Sequence, residues 1–169
     1  MEKTKLQASN IDEQGNVLYL DQERLDRKEV GFPPYKNKPN GLGIYNWLLK
    51  NVKADLYLVD FHAEGTSEEM AMGYYLDGKA SAVWGTHTHV QTSDACVLEN
   101  GTGYITDLGM TGPSRSVIGI DIEQSIGKFF GDPPVRYNSG KAPHKMEGCI
   151  FTIDETTGRC LKAESVRVV

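Results

Sequence analysis

The chain has 169 residues, of which 39% are hydrophobic and 24% are charged, and its formal net charge is −5. This length fits one domain with a buried core, and the lack of a Lys/Arg cluster argues against polymeric nucleic acid as a partner. Apolar stretches stay far below the roughly 18 residues that a membrane span requires, so we expect no membrane association.

The start of the sequence and its cysteines bear on the cellular compartment. No apolar segment follows the first charged residues, so we expect no signal peptide. Cys96, Cys149 and Cys160 are odd in number and lack C-x-x-C spacing. This pattern is typical of reduced thiols, and we therefore expect a cytoplasmic protein.

The regularity of the apolar pattern changes at about residue 41. Residues 1–41 contain one short predicted strand, at 17–20, together with a charged run and a Pro-rich loop. Beyond them, helical spacing predicts a helix over 42–51, and an apolar, aromatic run predicts a strand over 54–61 that is buried on both faces. We therefore expect a weakly patterned N-terminal segment followed by one α/β domain over residues 42–169.

A second helix is predicted directly after that strand. Residues 66–69, Thr-Ser-Glu-Glu, have the pattern of a capping box, in which Thr66 and Glu69 each bond to the other's backbone amide. The helix should end near Gly78, since glycine suits the position after a helix C-terminus. The connection 61–65 then lies between a strand end and a helix start, a favoured place for polar functional groups.

Four further elements are predicted downstream. Apolar runs predict two strands, a capped start predicts a helix, and alternating apolar residues predict a β-hairpin. Their ranges are 81–86 and 103–108 for the strands, 121–131 for the helix and 149–168 for the hairpin. Gly109 and Gly112 predict a tight turn that passes close to another part of the chain.

Three of the four histidines lie at the ends of predicted strands. His87 and His89 would leave one face of a strand with their Cα atoms about 6.5–7 Å apart, and His62 would end a neighbouring strand. Imidazoles so placed predict a metal site, with either one ion or two ions about 3.5–4 Å apart. A structural, hydrogen-bonded role is the alternative for each histidine.

Three carboxylates near the same strand ends are candidate auxiliary ligands, namely Asp60, Glu64 and Asp107. Asp60 would lie on the same face as His62, because it comes two residues earlier in the strand. Glu64 and Asp107 are as readily explained as caps of loops. The three histidines alone would suit a mononuclear zinc site with water as the fourth ligand.

Long motifs around these residues resemble the YmdB-type branch of bacterial calcineurin-like metallophosphoesterases. The resemblance covers about residues 50–169 and includes a helix over 117–131 and the closing hairpin. Four stretches carry most of it: Asp60-Phe61-His62-Ala63-Glu64, Thr66–Gly78, Gly85-Thr86-His87-Thr88-His89-Val90-Gln91-Thr92 and Tyr104–Gly112.

This resemblance implies part of a four-layer α/β/β/α sandwich with a binuclear iron or manganese centre. It also implies hydrolysis of small phosphodiesters, with 2′,3′-cyclic nucleotides as the characteristic substrates. Carried over by position, His62 and His87 would bind one metal ion and His89 the other. Metal ions in such a centre polarise phosphoryl oxygens and activate a water molecule.

The other metal motifs of the family have no counterpart in residues 1–59, where a Gly-Asp, a Glu-Asn and an Asn-His pair would be expected. The chain should therefore correspond to the C-terminal part of the family fold, without its N-terminal strands. Three interpretations remain open: a phosphodiesterase completed by another chain or by local carboxylates, an incomplete metal-binding fragment, and a mononuclear hydrolase. Exposed sheet edges favour a homo-oligomer or docking onto a separate N-terminal half.

Overall fold

The computed structural model describes Tyr45 and residues 48–169. The strand predicted at 17–20 and the segment 1–41 lie outside the described residues. Tyr45 and residues 48–51 are helical, which agrees with the helix predicted over 42–51.

The first sheet is built from four short strands in the order β1-β2-β4-β3. The strands β1, β2 and β4 are parallel, and β3 pairs antiparallel with β4. Because carboxyl ends of parallel strands meet at one edge of a sheet, the residues after β1, β2 and β4 come together there. The strand bounds are Leu58–Phe61 for β1, Ala82–Gly85 for β2, Cys96–Val97 for β3 and Gly103–Ile105 for β4.

Strand β1 is shorter and more exposed than the pattern at 54–61 predicts. Val59 is 5% exposed, whereas Leu58 on the opposite face is 52% exposed. The prediction of burial on both faces is wrong, because β1 is an edge strand among the described residues and the second sheet contacts β3 and β4 instead.

Helix α1, Thr66–Leu76, covers one face of this sheet. Met72 and Leu76 are 1% exposed and pack with Val59, Val83 and Tyr104 in the core. Gly73 brings the helix backbone close to the sheet, since a Cβ there would lie 2.4 Å from the Tyr104 ring.

The capping box predicted at residues 66–69 does not form. Gly65 is the N-cap, without a side-chain bond, and its carbonyl accepts from the amides of Glu68 and Glu69 at 2.9 and 3.2 Å. The helix starts one residue earlier than the pattern predicts, so Glu69 turns inward to the sheet. The C-terminal prediction is confirmed: the helix ends at Leu76, and Gly78 has a φ of +77°.

The second sheet is antiparallel, in the order β5-β6-β7. The strand β6, Ser139–Ile153, pairs with β5, Gly112–Ile120, through its first half and with β7, Cys160–Val168, through its second half. The predicted hairpin is confirmed as β6 and β7. Its turn is held by Asp154 Oδ1, which accepts from the amides of Thr156 and Thr157.

The helix after β5 is α2, Ile122–Phe130. Its predicted start is confirmed, because the Asp121 carboxylate accepts from the amides of Glu123 and Gln124. Its predicted end is also confirmed, since Gly131 has a left-handed φ of +87°. The helix does not extend back to residue 117 as the resemblance suggested, because residues 117–120 belong to β5.

The two sheets meet through aromatic side chains, and Trp84 stacks on Phe151 with ring centroids 5.8 Å apart. The expected α/β class, with two sheets and flanking helices, is confirmed. Along the described part of the chain, none of the helices has the length and apolarity that crossing a bilayer would take.

Candidate metal centre

Two of the three predicted histidines meet at the carboxyl edge of the first sheet. His62 follows β1 and His87 follows β2, and these strands are paired in parallel. His62 Nε2 lies 3.1 Å from His87 Nδ1, with ring centroids 4.9 Å apart and ring planes at 71°. The sheet therefore brings two imidazole nitrogens to one point near the surface.

A hydroxyl and a carboxylate hold the ring of His62. Thr86 Oγ1 donates to Asp60 Oδ1 at 3.2 Å and lies 3.1 Å from His62 Nδ1. Because the hydroxyl has only one proton, which it gives to Asp60, it accepts from Nδ1–H of His62. The Nε2 atom of His62 is then the bare nitrogen and faces His87. Such support of the remote ring nitrogen is usual for metal-binding histidines.

The separation of the two nitrogens fits joint binding of an ion. Metal–nitrogen distances of about 2.0–2.1 Å place two neighbouring ligands of one ion roughly 2.8–3.4 Å apart for angles between 90° and 109°. The observed 3.1 Å lies in this interval. Imidazole nitrogen is a common donor for iron and zinc, so the pair suits two of the three expected metals.

His89 does not occupy the position predicted for it. The strand β2 ends at Gly85, and the chain then bends, so that His89 has a φ of +61°. The prediction that His87 and His89 share one strand face is therefore wrong. His89 Nδ1 instead lies 2.8 Å from the Ile118 carbonyl on β5. Within residues 48–169 and Tyr45, no three His, Cys, Asp or Glu side chains form a group able to hold a metal ion.

The three candidate carboxylates have different environments. Asp60 is half-buried and contacts His62 through Thr86, whereas Glu64 lies exposed in the β1–α1 connection. Asp107 is fully buried, and its carboxylate accepts from the Thr88 amide at 2.6 Å, the Thr88 hydroxyl at 2.8 Å and the Gly109 amide at 2.8 Å. In this structure Asp107 fastens the histidine-bearing loop to the turn after β4.

Gln91 also braces the loop that carries His87 and His89. Its side-chain amide donates toward the carbonyls of Leu108, Gly148 and Val166, at 3.3, 2.9 and 3.0 Å. These acceptors lie after β4, on β6 and on β7, so Gln91 joins the loop to both sheets. Sequence reasoning singled out neither Gln91 nor Thr86, although both lie between or beside the histidines in the run Thr86–Gln91.

The turn after β4 is held by an ion cluster centred on the buried carboxylate of Glu147. Glu147 Oε2 accepts from the Met110 amide at 3.1 Å and from Lys145 Nζ at 2.6 Å, and Arg167 Nε lies 3.3 Å from Oε1. Burial alone would raise the pKa of Glu147, but the hydrogen bonds and positive charges outweigh it and hold the pKa below its usual range. Gly109, with a φ of +86°, passes against this carboxylate, as the predicted tight turn requires.

A buried carboxylate lies beneath the site. Glu69 is 2% exposed, and neither of its oxygens has a hydrogen-bond partner among the described residues. Burial, reinforced by the charge of Asp107, raises its pKa from 4.5 to about 7, and the nearby Ala63 amide offsets this only in part. Gly85 leaves room for Glu69, since a Cβ there would lie 2.4 Å from Oε1.

Relatives of the chain agree with the motif resemblance. A 2′,3′-cyclic-nucleotide 2′-phosphodiesterase of Bacillus subtilis (strain 168) is 47% identical over 110 residues, which cover 65% of this chain and 42% of the relative. A putative phosphatase/phosphodiesterase of Mycoplasma pneumoniae is 38% identical over 137 residues, which cover 80% of this chain and 48% of the relative.

Two solved structures have the same fold. A hypothetical protein from Thermus thermophilus superposes with a TM-score of 0.69 at 40% identity, covering 73% of this chain and 48% of that one. A novel phosphatase from Mycoplasma pneumoniae superposes with a TM-score of 0.73 at 37% identity. The match covers 81% of this chain and 49% of that one. The expected metallophosphoesterase fold is thereby confirmed. The chain spans less than half the length of each of these four relatives.

The family described as YmdB-like protein matches residues 34–166. That span includes the paired histidines, Gln91, Glu147, the whole first sheet and all but the last two residues of the second sheet. By this match and by its relatives, the chain belongs to the YmdB-like family.

Proposed function

We propose that the chain is the C-terminal part of a metal-dependent phosphodiesterase that hydrolyses small phosphodiesters such as 2′,3′-cyclic nucleotides. The observation that carries this proposal is the pair formed by His62 and His87, whose facing nitrogens are 3.1 Å apart. The activity printed for the Bacillus subtilis relative supports the substrate class.

His62 and His87 would together hold one iron or manganese ion, and His89 would hold a second. Bound ions would supply polarisation of phosphoryl oxygens and a water molecule of lowered pKa as the nucleophile. The protein's own contribution is to orient a ligand, because Thr86 and Asp60 hold the ring of His62 in place by hydrogen bonds. The mononuclear zinc alternative has less support, because among the described residues the three histidines do not form one group,.

The auxiliary carboxylates enter the proposal with unequal support. Asp60 acts through Thr86 on His62, while Glu64 is the exposed candidate nearest to His62 in sequence. Asp107 accepts two hydrogen bonds from Thr88 in the loop and one from Gly109 in the turn after β4, so its proposed contribution is to position the histidines.

A second candidate is a metal-binding fragment that is catalytically incomplete without a partner chain. This candidate is favoured because, among the described residues, only two candidate metal-binding side chains, His62 and His87, come together at one point. Oxygen ligands would then come from a second copy or from a separate N-terminal half. The outer edge of β1 offers a place for added strands,.

The test combines metal analysis with turnover on the full chain. We expect manganese-loaded protein to hydrolyse a 2′,3′-cyclic nucleotide, and His62→Ala and His87→Ala each to lose bound metal and activity. His144→Ala is the matched control, because this exposed histidine is on β6 in the second sheet, whereas the pair follows two strands of the first sheet. Metal bound without turnover would favour the incomplete fragment, and unchanged metal content in both site variants would contradict the metal assignment.

A further inference from the structure

We propose that a left-handed turn at Ile118 and Gly119 is a positioning device for His89. In this proposal the Ile118 carbonyl keeps the proton of His89 on Nδ1 and leaves Nε2 bare. The inference deepens the proposed function, since a bare Nε2 is what a metal ion at this site would need.

Two backbone outliers meet in this one contact. Among the described residues, His89 and Ile118 are the only non-glycine residues with positive φ, at +61° and +47°. They are also the two partners of a 2.8 Å hydrogen bond between His89 Nδ1 and the Ile118 carbonyl. Unfavourable backbone conformations persist where the surrounding structure enforces them, and they cluster at functional sites.

The conformation of Ile118 is especially unfavourable. A β-branched side chain at positive φ crowds its own backbone, and glycine or asparagine is the usual occupant of such a position. The Ile118 side chain is 49% exposed, so deep burial of the side chain does not explain the turn. The turn places the Ile118 carbonyl oxygen 2.8 Å from His89 Nδ1.

The surrounding strand fixes the turn from both sides. Arg115 pairs with Lys141 and Ile120 pairs with Ser139, so β5 carries extra residues between these pairs and bulges outward. The Ser116 hydroxyl accepts from the Gly119 amide at 3.0 Å and donates to the Pro113 carbonyl at 2.7 Å. Bulges of this kind often redirect groups next to functional sites.

The other side of the contact is equally constrained. Thr88, directly before His89, is bonded to buried Asp107 through both its amide and its hydroxyl. The same hydroxyl also contacts the amide and carbonyl groups of Val90. The backbone on either side of His89 is therefore held, and the ring is directed toward β5.

The tautomer follows from hydrogen-bond chemistry. A carbonyl oxygen only accepts, so His89 must donate from Nδ1 at this contact. In the neutral ring the proton is then absent from Nε2, which becomes the nitrogen available to a ligand. A backbone carbonyl is a common partner for the remote nitrogen of a metal-binding histidine.

The test reads the tautomer of His89 directly in the metal-free full-length chain, by nitrogen-15 NMR of the imidazole groups. We expect His89 to carry its proton on Nδ1 in the native protein and in Ile118→Gly and Ile118→Asn, which tolerate positive φ. Ile118→Pro, whose φ is fixed near −65°, should release the carbonyl and yield a mixture of tautomers. It should also weaken Mn²⁺ binding by about 10- to 100-fold.

Either of two results would overturn the proposal: a proton on Nε2 of His89 in the native chain, or an unchanged Nδ1–H form in a folded Ile118→Pro variant. If Ile118→Pro does not fold, the tautomer of His89 in the native chain and in Ile118→Gly tests the proposal. A proton on Nε2 in either chain would contradict it. An Nδ1–H His89 in a chain that binds no metal would support the positioning device and contradict the proposed function, so the two failures are distinguishable.

Discussion

At the scale of single residues, the orientation of His62 depends on a hydroxyl, because Thr86 Oγ1 stands between the ring and Asp60. Thr86→Val has nearly the same shape but cannot accept from Nδ1–H. We expect Mn²⁺ affinity, measured by calorimetric titration, to fall about 10- to 100-fold while the fold remains. Thr152→Val, at an exposed site on β6, is the matched control. Equal affinity in the two variants would contradict the orienting role.

A second residue-scale prediction concerns Glu69, whose pKa is raised from 4.5 to about 7. Between these values the native state binds more protons than the unfolded state, so this residue's contribution to stability is lost as pH rises through the window. Below it the carboxyl is protonated in both states, and the contribution is constant. Glu69→Gln removes the titration, and its stability relative to the native chain should increase as the pH rises from 4.5 to about 7.

The free energy of unfolding of each variant is measured with urea at about pH 5, near the lower end of this window, and at about pH 8, above it. Glu155→Gln is the control, because this exposed carboxylate lies in the turn between β6 and β7, outside the groups that raise the pKa of Glu69. If Glu69→Gln and the native chain depend on pH to the same extent, Glu69 does not titrate as a buried carboxyl.

At the scale of elements, Gln91 is the main tie between the histidine loop and both sheets. Gln91→Met leaves three carbonyls without their donor, and loss of these partly buried hydrogen bonds should lower the free energy of unfolding by about 1–3 kcal/mol,. Gln91→Glu should lower the free energy of unfolding further, because a carboxylate cannot donate a hydrogen bond and repels the same three carbonyl oxygens. Chemical denaturation of both variants checks the order, and a Glu variant as stable as the native chain would contradict it.

The sequence allows some elements to be predicted because their signals are local. Helix α2 has a side-chain cap at Asp121 and a left-handed glycine at Gly131, and both are visible as residue types. The start of α1 is mispredicted because Gly65 caps it through its backbone alone, which leaves Glu69 free to be buried. Its residue pattern cannot distinguish a cap from a buried carboxylate.

The site is only partly predictable for a related reason. Parallel pairing of β1 and β2 follows from α/β layering, and it brings His62 and His87 together as expected. The position of His89 depends on positive φ at His89 and Ile118, and a β-branched isoleucine does not normally indicate such a turn,. Strand β5 is missed for the same reason, since its Gly- and Pro-containing start and its bulge interrupt any alternation.

At the scale of the whole molecule, the described surface leaves apolar groups uncovered. Helix α2 presents a stripe of apolar residues at helical spacing, and Phe129 and Phe130 are 87% and 85% exposed. Contiguous exposed apolar surface generally indicates an interaction site. This agrees with the proposal that the chain works with a second copy or with a separate N-terminal half.

The central claim is that His62 and His87 bind one ion as a pair, and the most direct measurement counts the imidazole nitrogens bound to Mn²⁺ by pulsed electron paramagnetic resonance. With one equivalent of Mn²⁺ we predict two bound imidazoles in the native chain and in His144→Ala, and one after His62→Ala or His87→Ala. A count that is zero in the native chain, or that is unchanged by both site substitutions, would contradict the claim.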